Sequence, residues 1–148
     1  MDFDQATQIR DSVTSLFIEG RFGDGLRLLS QHEAELPVEV RLECVGNLHF
    51  YRRELQEAVV EYEAAIAVSP AHMISRYQYL VGTQEEKKRN FVGAFKRYQA
   101  AIEIDRSFVD AYVELGGLLV KVGDLVGAVQ CYRDAVRLAP DDVGELKR

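Results

Sequence analysis

Three histidines and two cysteines are the side chains in this sequence best suited to hold a metal or to attack an electrophile. His32, His49 and His72 stand far apart, and none has a cysteine or carboxylate at the spacing of a zinc site. Cys44 and His49 are five residues apart, so on a helix they would not share a face. The glycines follow no strand-like segment, and none belongs to a phosphate-binding loop of the G-x-x-x-x-G-K type. The chain is therefore expected to have no catalytic residues, no metal site and no cofactor, and its chemistry should be recognition.

Composition narrows the class further. The 148 residues suit one domain, and 47% are hydrophobic, enough for a sizeable core. No run is long and apolar enough to span a bilayer. The opening MDFDQATQIRD is acidic and polar, unlike a secretory signal. Two isolated thiols, Cys44 and Cys131, give no disulfide framework, so a reducing cytoplasm is expected. The formal charge of −6 argues against nucleic acid as the main ligand. That charge is uneven. Residues 1–74 carry 6 basic and 13 acidic side chains, whereas residues 75–106 carry 7 basic and 4 acidic. The basic island is either a solvated helix face or a docking place for an acidic segment.

Apolar spacing shows which elements must position any binding groups. Tyr112, Leu115, Leu118, Leu119 and Val122 recur at threes and fours, the stripe of one helix. Leu125, Val129, Tyr132 and Val136 form the stripe of a second. Gly116, Ala128 and Ala135 are small enough for the two backbones to approach, with Tyr112 and Tyr132 filling the space beside them. Gly123 suits the left-handed end of the first helix, and Asp124 can cap the next. Pro140 stops the second.

The stretch from Val109 to Asp142 resembles the tetratricopeptide repeat. Tyr112, Leu115, Gly116, Leu119, Ala128, Tyr132, Ala135 and Pro140 occupy the eight defining places, with Tyr for Trp at the start and Leu for Tyr in the fourth. Sliding that unit back finds copies over 75–106, 39–70 and about 6–37, and leaves a tail at 141–148. The third copy has Arg106 in the proline place, so capping by Asp105 and Ser107 should end its helix. The first is degenerate, with Val13 in the glycine place, Gly25 in the first alanine place and His32 in the second. The starts are offset by 33, 36 and 34 residues, the longest step falling around His72-Met73. The expected fold is all-α, a right-handed α-α solenoid of antiparallel helix pairs forming one continuous domain. Its helices are expected near 4–19, 23–35, 39–52, 55–68, 73–88, 91–104, 108–121 and 125–138. Tyr62, Tyr98, Tyr112 and Tyr132 should be its core aromatics. Leu125, Val126, Val129 and Val136 should be partly exposed, since the short tail makes a poor cover.

The resemblance implies non-catalytic protein or peptide binding, as a scaffold, adaptor or co-chaperone, in a concave groove lined by the first helix of each pair. By register that face includes Arg10, Thr14, Cys44, Asn47, Tyr51, Arg76, Tyr79, Thr83 and Lys87. Asn47 could hold a peptide backbone through both ends of its amide, Tyr51 and Tyr79 offer apolar area, and Arg76 and Lys87 suit carboxylates. Packing is the alternative for the two tyrosines, and a solvated side chain the alternative for Asn47. The carboxylate clamp of one chaperone-binding subfamily does not transfer, because Glu43, Leu80, Asp110 and Glu114 occupy four of its places. Other readings are self-association through the last repeat, a dedicated secretion chaperone, or the repeat segment of a larger protein.

Overall fold

The computed structural model describes residues 1–139; Pro140 and the tail at 141–148 lie outside the described residues. Among those described, eight α-helices and no strand form: α1 (Phe3–Ile18), α2 (Phe22–His32), α3 (Val38–Tyr51), α4 (Leu55–Val68), α5 (Ser75–Lys87), α6 (Phe91–Ile104), α7 (Val109–Lys121) and α8 (Leu125–Leu138). The fold is all-α, and consecutive helices pack as pairs: α1 with α2, α3 with α4, α5 with α6, α7 with α8. The spans fall close to those expected. Two ends differ for local reasons. α2 stops at His32 because Glu35 and Leu36 turn back onto the His32 carbonyl. α5 starts at Ser75, not near 73, because the His72 amide closes a turn onto Ser69 and Ile74 is buried.

One device reverses the chain inside every pair. Gly20, Arg53, Arg89 and Gly123 adopt left-handed backbone, with φ of 79°, 65°, 62° and 86°. The next residue then donates five positions back: Arg21 to Leu16, Glu54 to His49, Asn90 to Glu85 and Asp124 to Leu119, at 2.8–2.9 Å. This 6→1 bond satisfies carbonyls the helix end leaves open. Glycine takes that conformation freely, whereas an L-residue such as Arg53 or Arg89 strains by ~1 kcal/mol or more. Asn90 and Asp124 then cap α6 and α8 by accepting from Gly93 and Gly127, each at 3.0 Å. Asp105 accepts from the Ser107 amide and hydroxyl, as expected of the break without a proline.

The packing divides into two compact units, Met1–Ile74 and Ser75–Arg148. In the first, Ala6, Val13, Phe17, Leu29, Leu36, Val40, Cys44 and Leu48 form the core. In the second, Ala94, Tyr98, Leu115, Leu118, Leu119 and Ala128 form one cluster, and Tyr112 with Ala135 a smaller one. Tyr62, Tyr98 and Tyr112 are buried as expected, but Tyr132 is 37% exposed. It lies on α8, whose outer side no described helix covers.

Each pair is closed by a glycine under an aromatic ring. A Cβ at Gly46 would stand 2.3 Å from the Tyr62 ring, at Gly82 2.6 Å from Tyr98, and at Gly116 2.8 Å from Tyr132. In the first pair the roles invert: Phe17 on α1 lies over Gly25 on α2, where a Cβ would meet the ring at 2.4 Å. That inversion gives the degenerate first copy its logic, since Val13 can occupy the usual glycine place once the ring comes from the other helix.

Urea denaturation checks this reading. Gly82→Ala should destabilise by ~1–3 kcal/mol through overpacking. Gly117→Ala, whose Cβ would lie 3.8 Å from the Tyr132 hydroxyl, should be neutral or stabilise by up to ~1 kcal/mol from helix propensity.

Candidate functional site

The first helices of the pairs carry the nine residues proposed from sequence, and the two units use them differently. In Met1–Ile74 the face belongs to α1 and α3. Asn47 is 1% exposed, and both ends of its amide are engaged. Its Nδ2 donates to Thr14 Oγ1 at 3.0 Å, and its Oδ1 accepts from the Tyr62 hydroxyl at 2.6 Å. Thr14 is itself buried. Cys44 is fully buried, and burial, then the neighbouring Glu43 charge, pushes its thiol up to about 12. Tyr51 is half-buried against the core and meets Phe50 edge-on, with ring centroids 4.9 Å apart.

Arg10 takes part in a cluster that sequence reading did not assemble. Glu43 is buried, with Arg10 Nη1 at 3.4 Å and His72 Nε2 at 2.7 Å from its Oε1. Arg10 also pairs with Asp11 at 3.0 Å. A buried carboxylate needs such partners, since removing its water is costly. His72 sits at the long step between repeats, and the residues added there bring its ring to Glu43. The 36-residue offset was the one available signal.

In Ser75–Arg148 the face belongs to α5 and α7. Arg76 is buried, stacked 4.1 Å over the Phe108 ring and paired with Asp105 at 2.5 Å. Burial opposes ionisation of Asp105, but Arg76 and Ser107 outweigh it and hold the carboxyl below its ordinary value. Tyr79 is half-buried, its ring 5.3 Å from Phe108 and 6.0 Å from Tyr98, and its hydroxyl bonds Glu114. Thr83 donates to the Leu80 carbonyl at 2.8 Å, and Lys87 is exposed. Glu86 accepts from the Tyr98 hydroxyl at 2.8 Å and from Lys121. Glu114 has its carboxyl raised by burial first, then by the charges of Glu86 and Asp110. This face therefore joins an aromatic floor to a partly desolvated acidic wall. Its polar groups come from residues spaced 28 and 35 apart, one repeat along.

The pattern of helix pair, left-handed turn and glycine under tyrosine has a counterpart among known families. The family model of the tetratricopeptide repeat matches residues 109–142. That segment, α7 with α8, is similar to one such repeat. Two curated relatives match a larger share of the chain. It is 28% identical over 105 residues to Protein O-mannosyl-transferase TMTC1 of Mus musculus, covering 68% of this chain and 11% of that one. It is 28% identical over 112 residues to Protein CTR9 homolog of Arabidopsis thaliana, covering 68% of this chain and 10% of that one. The chain thus spans about a tenth of the length of these relatives. Among solved structures, a MamA mutant is similar at TM-score 0.48 and 17% identity, over 95% of this chain and 81% of that one. MamA AMB-1 is similar at 0.45 and 19%, over 95% and 76%.

Two substitutions read the site out. Asn47→Ala should destabilise by ~2 kcal/mol, because it strands the buried Tyr62 hydroxyl, as measured by chemical denaturation. Glu114→Gln should raise the melting temperature at pH 7. The folded-state carboxyl lies above its unfolded value, so ionisation weakens the fold as pH rises through that range. The gain should fade as the pH falls into the carboxylate range and the wild-type group protonates.

Proposed function

We propose that this tetratricopeptide-repeat protein is a non-catalytic module that binds a protein segment, serving as a scaffold, adaptor or co-chaperone. We read it as four repeats near 6–37, 39–70, 75–106 and 109–140, in the cytoplasm, with both cysteines free. The observation that carries the reading is the half-buried Glu114 carboxyl, which takes a hydrogen bond from Tyr79 and on which the charges of Glu86 and Asp110 outweigh that of Lys121. A carboxylate held partly dry next to like charge is stabilised by an arriving cation. The segment bound on α5 and α7 is therefore one that offers an Arg or Lys to Glu114 and apolar area to Tyr79. Thr83 and Lys87 border that place. The Asn47, Thr14 and Cys44 side chains support the fold beneath the α1 and α3 face, and Arg10 and Tyr51 are its more accessible groups.

A second reading rests on the length of the relatives. The chain matches a tenth of each, as a repeat segment of a longer protein does. Under it the same face still binds, and any catalysis belongs to other parts of the protein.

Affinity capture from native lysate at low and high salt tests the first reading. A Thr83→Arg, Glu114→Lys variant is compared with the wild type, with helicity of both checked by circular dichroism. A partner held by the wild type, released by salt and lost by the variant is the expected result. A partner held equally by both would move binding off α5 and α7.

A further inference from the structure

α8 exposes an apolar stripe that its counterpart α6 does not. Leu125 is 62% exposed, Val126 84% and Val129 48%. Thirty-four residues earlier, Phe91, Phe95, Tyr98 and Ile102 occupy the places of Leu125, Val129, Tyr132 and Val136. On α6 these residues pack against Leu115, Leu118 and Leu119 of α7, and Tyr98 is 0% exposed. Tyr132 makes the same contact with its glycine, yet remains 37% exposed. Among the described residues, the difference is the covering helix that α6 has and α8 lacks. An uncovered apolar stripe on a helix marks an interaction surface.

We propose that α8 pairs with α8 of a second copy of this chain, antiparallel, across a two-fold axis. The stripe runs Leu125, Val129, Tyr132, Val136, with steps of four, three and four, Val136 being partly buried beside Tyr112 and Ala135. That spacing reads the same in both directions. An antiparallel copy therefore sets Leu125 against the partner copy's Val136, and Val129 against its Tyr132. This is the self-complementarity an isologous contact requires. The same register sets Asp124, which caps the start of each α8, against Arg137, which also pairs with Asp134 of its own helix at 3.3 Å, near the end of the other. Opposed charges then flank the apolar centre at both ends, and the two helix dipoles run antiparallel. The first helix of a further copy is a poorer cover. Gln8, Ser12 and Ser15 of α1 stand at the places of Ala111, Leu115 and Leu118 of α7, so α1 offers polar groups where α7 offers apolar ones. Closed pairing through α8 is accordingly favoured over an open head-to-tail chain. The inference is independent of the segment-binding face on α5 and α7. One helix per subunit makes a small interface, so the dimer should exchange rapidly.

Sedimentation equilibrium of the full chain across a concentration series tests the pairing. The mass should rise from 16.8 kDa toward twice that value. Val129→Asp should hold the chain at the monomer mass with unchanged helical circular dichroism. Arg137→Glu should weaken association severalfold, more so at low salt. Val92→Asp, at the α6 place equivalent to Val126 and 69% exposed, should leave the dimer intact. If Val129→Asp fails to fold, Val126→Asp decides by the same criterion. A wild type that stays monomeric at every concentration overturns the proposal. So does a dimer that survives these α8 substitutions, or a stripe that binds only a foreign helix or the chain's own residues after 139.

Discussion

The close approach of the two helices in a pair depends on one contact, an aromatic ring lying on a glycine. With no Cβ at Gly46, Gly82 or Gly116, the facing tyrosine crosses the gap and covers the partner backbone. Glycine inside a helix costs ~1 kcal/mol relative to Ala, so the position is kept only where contact offsets that cost. The ring then sets the distance between the helices, and the alanines on the second helix, Ala58, Ala65, Ala94, Ala101, Ala128 and Ala135, fit because of it. All six are buried.

The same tyrosines couple the core to the polar groups of the first helices. The Tyr62 hydroxyl passes through the pair and ends on Asn47, while that of Tyr98 ends on Glu86. Each is a phenol delivered from a second helix to a polar group on a first. In Met1–Ile74 this delivery engages the Asn47 amide, whose other end donates to Thr14, so the α1 and α3 side chains there are braced. In Ser75–Arg148 it orients a carboxylate that stays in contact with Lys121 and near Glu114. Two units with one repeat pattern thus present different chemistry, one satisfied internally and one with an acidic wall.

Much of the fold was legible in the sequence because helix spacing and helix ends are local properties. Apolar residues at threes and fours located α7 and α8, and sliding that unit back along the chain located the other six helices of the described residues. Gly123-Asp124 announced its turn, although nothing marked Arg53 and Arg89 as left-handed, since arginine carries no such signature. The site was less legible. Register placed Asn47, Arg76 and Glu114 on first helices correctly, but the state of each side chain depends on residues far along the chain. Asn47 is taken up by Tyr62, fifteen residues away, and Arg76 by Asp105, twenty-nine away. Glu43 and His72 show the same limit: only the folded loop reveals that the long step in the repeat carries a histidine to a buried acid. The exposure of Leu125, Val126 and Val129 was foreseeable from the sequence, which offers them little apolar cover. The palindromic spacing of that stripe gained meaning only beside the covered α6.

The ring-on-glycine constraint is tested most directly by a double-mutant cycle at Gly116 and Tyr132, the pair whose ring is accessible enough to be changed without collapsing a core. The stability of Gly116→Ala is measured in the wild type and in Tyr132→Leu. If the ring enforces the glycine, the alanine destabilises the wild type and becomes neutral or stabilising once the ring is gone, a coupling of ~1 kcal/mol or more. Equal effects of Gly116→Ala in both backgrounds would contradict the account, since the helix spacing would then be set by something other than this contact.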